Sequence, residues 1–261
     1  MFNGGNSAFP TEFWQNGPSP GSFYNFTSGG VAQTMPADIG KQHSFTPATT
    51  GTSVVGIKYE NGVLIAADTL VSYGNLARFT DVERVFKVND FTIIGTGGDY
   101  ADFQNLQQSI NQKVVEDMCS GDKLQMKPKS LYNWLTRVLY NRRSRMNPLF
   151  LNMVVGGMEN GKPFLGHIDL RGSAYESEVI ATGFGQHLAL PLIREALQPG
   201  KPISEQQAFE LLHKVMEVLY YRDCRAHPKY TVAVCTEAGT EIKGPFRVDE
   251  NWALASLIEG Y

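Results

Sequence analysis

Thr49-Thr50-Gly51-Thr52-Ser53-Val54-Val55-Gly56-Ile57-Lys58-Tyr59-Glu60-Asn61-Gly62-Val63-Leu64-Ile65-Ala66-Ala67-Asp68 is the stretch on which the fold turns. Two β-rich runs, 53–59 and 63–68, flank a short Glu60-Asn61-Gly62 turn. Asn-Gly between such runs signals a hairpin, because both residues tolerate the positive φ of a type I′ turn. Gly51-Thr52 stands just ahead of the first run, and Asp68 closes the second. A cut between Gly51 and Thr52 would give Thr52 a hydroxyl nucleophile and a free α-amine on one residue. The competing reading is a plain Gly-Thr turn entering a strand.

Working outward, residues 1–43 differ from the rest. They are rich in Gly, Pro, Ser and Asn, with charges only at Glu12, Asp38 and Lys41. Such a segment cannot bury a continuous apolar face, so it is expected to be a disordered arm or a removable pro-segment. It has neither the basic start and apolar run of a secretory signal nor the arginines of a mitochondrial presequence.

Beyond the opening hairpin, the runs 84–89 and 91–96 predict strands, and Gly97-Gly98-Asp99 leads into a helix. Phe103, Leu106, Ile110 and Val114 recur there at helical spacing. A second helix carries Leu131, Trp134, Leu135, Val138 and Leu139 and ends in Arg142-Arg143-Ser144-Arg145. Arginines in a last turn ordinarily offset the helix dipole or pair with a neighbour's acids. Strands at 150–156 and 163–169 follow, joined by Glu159-Asn160-Gly161, a turn of the first type. One further strand is expected at 174–182. Gly183-Phe184-Gly185 then opens a third helix, and Ser204-Glu205-Gln206-Gln207 is a capping box opening a fourth. Runs at 230–235 and 241–246 make a final hairpin. A tail at 249–261 closes the chain. Strands, two helices, strands, two helices, strands is the order of a layered α+β domain and not of a doubly wound sheet.

Composition narrows the function classes. Of 261 residues, 42% are hydrophobic and 19% charged, ordinary for a globular protein. The net charge of -3 gives no reason to expect nucleic acid or an anionic membrane, and no run approaches the ~18 apolar residues of a membrane helix. Cys119, Cys224 and Cys235 are far apart, which suggests free thiols in a reducing, intracellular compartment. His43, His167, His187, His213 and His227 are scattered without metal-ligand spacing, so no metal or cofactor is expected. Gly183-Phe184-Gly185 lacks the rest of a dinucleotide fingerprint, and no Gly-x-Ser-x-Gly elbow supports a serine triad.

Taken together, the opening hairpin, Gly97-Gly98-Asp99-Tyr100-Ala101-Asp102 and Tyr220-Tyr221-Arg222-Asp223 resemble the proteasome β-subunit family over roughly residues 44–248. The resemblance implies the four-layer αββα sandwich of N-terminal-nucleophile hydrolases, a place in stacked seven-membered rings with other α and β subunits, and a cytoplasmic and nuclear location. It places Thr52 at the nucleophile position, Asp68 and Asp223 at the two acids, and Gly98 at the oxyanion-hole glycine. The lysine of active members falls on Arg84, which stays protonated up to pH ~12 and cannot shuttle a proton. Supporting serines fall on Phe184 and Ala226, and an arginine falls on Leu70. These departures imply an inactive scaffold. The resemblance also implies removal of the pro-segment near His43-Ser44, and a C-terminal tail that reaches the opposite ring through Trp252, Leu254, Leu257 and Ile258. A working threonine peptidase cut at Gly51-Thr52 is the rival reading.

Overall fold

The computed structural model describes residues 46–121, 125–197 and 201–257. The pro-segment expected over 1–43, its processing point at His43-Ser44, and Ile258 lie outside them. In chain order the strands begin with β1 (Thr49–Gly51), β2 (Val54–Tyr59), β3 (Gly62–Asp68), β4 (Val71–Tyr73), β5 (Leu76–Phe79), β6 (Val85–Asn89) and β7 (Thr92–Asp99). Helices α1 (Tyr100–Cys119) and α2 (Pro128–Ser144) follow, then β8 (Leu151–Glu159), β9 (Lys162–Ile168), β10 (Ala174–Glu176) and β11 (Val179–Ala181). Helices α3 (Gly185–Ala196) and α4 (Glu205–Arg222) precede β12 (Lys229–Thr236), β13 (Gly239–Arg247) and a short 3-10 helix, Trp252–Leu257.

One sheet runs β10-β9-β8-β7-β1-β4-β5, with β6 also on β7; the other runs β11-β2-β3-β12-β13. Side-chain alternation sorts each strand between two layers. Leu64 and Ala66 of β3 face α3 and α4, packing with Ala189, Ile193, Leu212, Val215 and Leu219. Val63, Ile65 and Ala67 face the other sheet, against Val85, Ile93, Val154 and Leu165. The outer face of that sheet receives Phe103, Leu106 and Ile110 of α1 and Leu131, Leu135 and Leu139 of α2. The result is the αββα sandwich. A strand covered on both faces needs an unbroken apolar run, as β3 has. Gly95 allows the close approach of the sheets, since a Cβ there would fall 2.6 Å from Ile65 and Val54.

Four expectations need correction. Glu159-Asn160-Gly161 is a type I′ hairpin, with Asn160 at φ 51° and Gly161 at φ 74°. In the first hairpin, however, Tyr59 pairs with Gly62, so the loop is Glu60-Asn61, and neither residue has positive φ. Gly62 instead opens β3, paired with Tyr59 and Thr236, and lies against the Cys235 carbonyl, where a side chain has no room. Gly97-Gly98 does not break β7, which continues to Asp99 before α1 begins. The single strand expected at 174–182 is two strands, β10 paired to β9 and β11 to β2, in different sheets. Gly51 lies not in a turn but in β1, between β7 and β4.

Candidate active site

The site forms where the chain crosses between the sheets. It leaves one sheet after β1 and enters the other at β2, through Thr52-Ser53; it returns through Thr69-Leu70, between β3 and β4. Arg84, just ahead of β6, holds both crossings. One guanidinium nitrogen donates to the Thr52 carbonyl and, at 3.3 Å, to that of Ser53. The other donates to the Asp68 carboxylate and, at 3.4 Å, to the Asp68 carbonyl. The two side chains are 1% and 2% exposed, so the charges have little water to fall back on. The His227 N–H donates to the second Asp68 oxygen at 3.0 Å. Burial pushes the Asp68 carboxyl up, and Arg84 and the His227 N–H pull the other way. A neutral Asp68 would strand a guanidinium that does not deprotonate in the core, so the pair is charged.

Thr52 donates its hydroxyl to Asp223. Asp223 caps the C-terminus of α4, its N–H bonded to the Leu219 carbonyl at 2.8 Å. Its other carboxylate oxygen accepts the Arg225 N–H at 3.0 Å, and its carbonyl accepts the Ala226 N–H at 3.0 Å. Both acids are therefore anchored by backbone as well as by side chain. Thr52, Asp68, Asp223, Ala226 and His227 surround a cavity of about 10 Å³, space on the order of one water.

The remaining expected positions fall around this centre. Gly98, at φ 91°, pairs with Gly51 on one side and Leu151 on the other. A Cβ there would run into the Phe150 carbonyl, so packing alone accounts for the glycine. Phe184 is 58% exposed and offers no hydroxyl to cap α3. Leu70 is buried at the second crossing. Two hydroxyls that sequence reasoning passed over bind the crossing to α3. Ser53 accepts the Gly185 N–H at 2.9 Å, and Thr182 accepts the Val54 N–H at 2.9 Å. Among the described residues no group of His, Cys, Asp and Glu gathers at metal-binding distance, and no helix is long and apolar enough to cross a membrane.

The tail residue Trp252 packs on its own chain. Its ring meets Tyr220 and Tyr221 edge-on, at 5.8 and 4.9 Å, and the Asn251 N–H donates to the Tyr221 hydroxyl at 2.7 Å. Leu254 and Leu257 fall on the same 3-10 helix, which Trp252 opens.

An αββα sandwich with a threonine and two carboxylates at its inter-sheet crossing is an N-terminal-nucleophile hydrolase fold. Residues 48–235 match the family model described as "Proteasome subunit", and the chain belongs to the proteasome subunit family. It is 52% identical to "Proteasome subunit beta type-4" of Drosophila melanogaster, covering all of both chains. It is 46% identical to the protein of the same name in Xenopus laevis, over 94% of this chain and 98% of that one. "Probable proteasome subunit beta type-7" of Schizosaccharomyces pombe is 40% identical, over 96% of each.

Proposed function

We propose that the chain is a non-catalytic structural β subunit of the 20S proteasome core, working in ring assembly and so in the ubiquitin-dependent protein degradation of the whole particle. The observation that carries this reading is β1. Thr49, Thr50 and Gly51 pair with Tyr73, Ser72 and Val71 on one side, and Thr50 and Gly51 with Asp99 and Gly98 on the other. Cutting after Gly51 would remove the strand that joins β7 to β4. While it stays, the Thr52 nitrogen is an amide and supplies no base. Arg84 adds to this, since its guanidinium is committed to Asp68 and to backbone carbonyls.

Within this reading, the N-terminal segment is removed near His43-Ser44, which leaves β1 in place. Partners are the other α and β subunits of the stacked rings, with the C-terminal tail reaching the opposite ring, in cytoplasm and nucleus. Trp252 secures the root of that tail on Tyr220 and Tyr221, leaving Leu254, Leu257 and Ile258 as the apolar anchors.

Mass spectrometry of the mature N-terminus, combined with an epoxyketone probe on the isolated particle, tests the proposal. An N-terminus ahead of Thr49 and no label on Thr52 are expected. A labelled N-terminal Thr52 would establish the rival, a working threonine endopeptidase.

A further inference from the structure

Arginines recur along the second half of α2 and in the turn beside it without the partners that usually explain them. Arg137, Arg143 and Arg145 lie on or at the end of the helix and Arg171 in the β9–β10 turn, all exposed. None of the four has an ion pair among the described residues. Arg142, beside them, makes no ion pair among the described residues either, though its charge acts on the Asp102 carboxyl. Nor are the arginines needed to cap the helix. The carbonyls of Asn141, Arg142 and Arg143 accept the N–H groups of Arg145, Asn147 and Met146 at 3.2, 3.0 and 3.1 Å. Asp169, the acid of the adjacent turn, accepts the N–H groups of Arg171 and Ser173 at 2.9 and 2.8 Å.

Tyr140 is the shared neighbour of Arg143 and of the β9–β10 turn. Its ring is 53% exposed, with the Arg143 guanidinium 5.9 Å from its centroid. Gly172 sits so close that a Cβ there would fall 2.7 Å from the Tyr140 Cβ, which sets Arg171 beside the same residue. Arginine forks beside an exposed aromatic ring suit planar anions that accept two parallel hydrogen bonds, as carboxylates do.

We propose that this end of α2, with the β9–β10 turn, is an interaction surface for a carboxylate-rich segment of another protein chain. Charge complementarity selects that partner over nucleic acid. Set against a net charge of -3, these four arginines leave the rest of the sequence at -7. A long polyanion would be repelled beyond the patch, whereas a compact cluster of Asp and Glu would not.

The inference rests on the subunit reading, because it takes the partner to be a neighbour in the particle. Arg143→Lys/Arg171→Lys keeps both charges and gives each site an amine that a carbodiimide can join to a touching carboxylate. The tagged variant is purified in its particle, treated with the carbodiimide and digested. Cross-linked peptides from either introduced amine to Asp or Glu of another chain are expected, with yield falling several-fold when salt is raised from about 0.05 to about 0.3 M. Arg143→Glu/Arg171→Glu is expected to enter the particle several-fold less well and Arg143→Gln/Arg171→Gln to a smaller degree, while the charge-keeping Lys variant controls for folding. Cross-links confined to this chain, or normal incorporation of the Glu variant, would overturn the surface. So would capture of RNA by the patch with incorporation unchanged. A tagged chain found only outside any large particle would instead sink the subunit reading.

Discussion

Arg84 lies against Gly51 so closely that a Cβ on the glycine would meet the guanidinium carbon at 2.8 Å. The strand ahead of Thr52 and the cation behind it are thus fitted to one another. In this chain the cation acts as a staple across two inter-sheet crossings, with no proton to transfer.

Replacing the staple should cost in proportion to what is left unpaired. Arg84→Met leaves the Asp68 carboxylate buried with only a backbone N–H, and a loss of about 3–5 kcal/mol is expected. Arg84→Lys keeps the charge, but one ammonium cannot reproduce a fork that spans Asp68 and the Thr52 carbonyl. A loss of about 1–3 kcal/mol is expected there. Denaturant midpoints check the ranking, and equal stability of all three forms would contradict the staple.

Thr52→Val removes one donor from Asp223 with little change of shape. Asp223 keeps the Arg225 N–H, so about 1 kcal/mol should be lost. Peptidase rates of particles carrying the variant are expected to match wild type. A loss on the order of 10³-fold in any one activity would assign chemistry to Thr52.

His167 makes stability depend on pH. It is 5% exposed, its ring lies 4.9 Å from that of Tyr175 at a tilt of 38°, and neither ring nitrogen has a hydrogen-bond partner. Burial lowers its pKa below 6.5, against the upward pull of Asp169. The unfolded chain therefore takes up a proton that the folded chain resists, so stability is full above about pH 6.5 and falls progressively below it. His167→Phe should flatten that decline, measured by unfolding at about pH 7.5 and about pH 5.5. Parallel slopes would remove His167 as the cause.

The two Glu-Asn-Gly turns should respond differently to alanine. At Gly161 the cost is conformational, about 1–2 kcal/mol for φ 74°. Gly161→Asn, which tolerates that φ, should recover most of it. At Gly62, φ is not positive and the obstacle is the Cys235 carbonyl. Gly62→Asn should therefore rescue nothing. Unfolding midpoints of the four variants decide, and rescue at both sites would show that the turns are alike.

Much of this architecture was legible in the sequence because long elements carry their own period. The stripes of α1 and α2 stand where the periodicity put them, and α4 starts at the Ser204 capping box. Strands of three or four residues, β1, β4 and β5, are too short to show alternation, and the run that splits into β10 and β11 has no break signal at Ser177-Glu178. The site was legible in part. Thr52, Asp68, Arg84 and Asp223 came through a family pattern and do meet in space. Ser53 and Thr182 did not, because their partners lie 132 and 128 residues away and a lone hydroxyl carries no periodic mark.

The position of β3 bears on how the chain is made. All seven of its residues are buried, and β12 pairs along its whole length, from Tyr230 with Asp68 to Thr236 with Gly62. During synthesis β2 and β3 leave the ribosome early, and the strand that covers their open edge comes almost last. A long-lived bare edge of this kind is prone to mispairing, so the nascent chain needs shielding until β12 arrives. Ribosome-bound chains ending before Lys229 should stay open to protease in the β2–β3 hairpin, and longer ones should become resistant. Early resistance would place the closing step elsewhere.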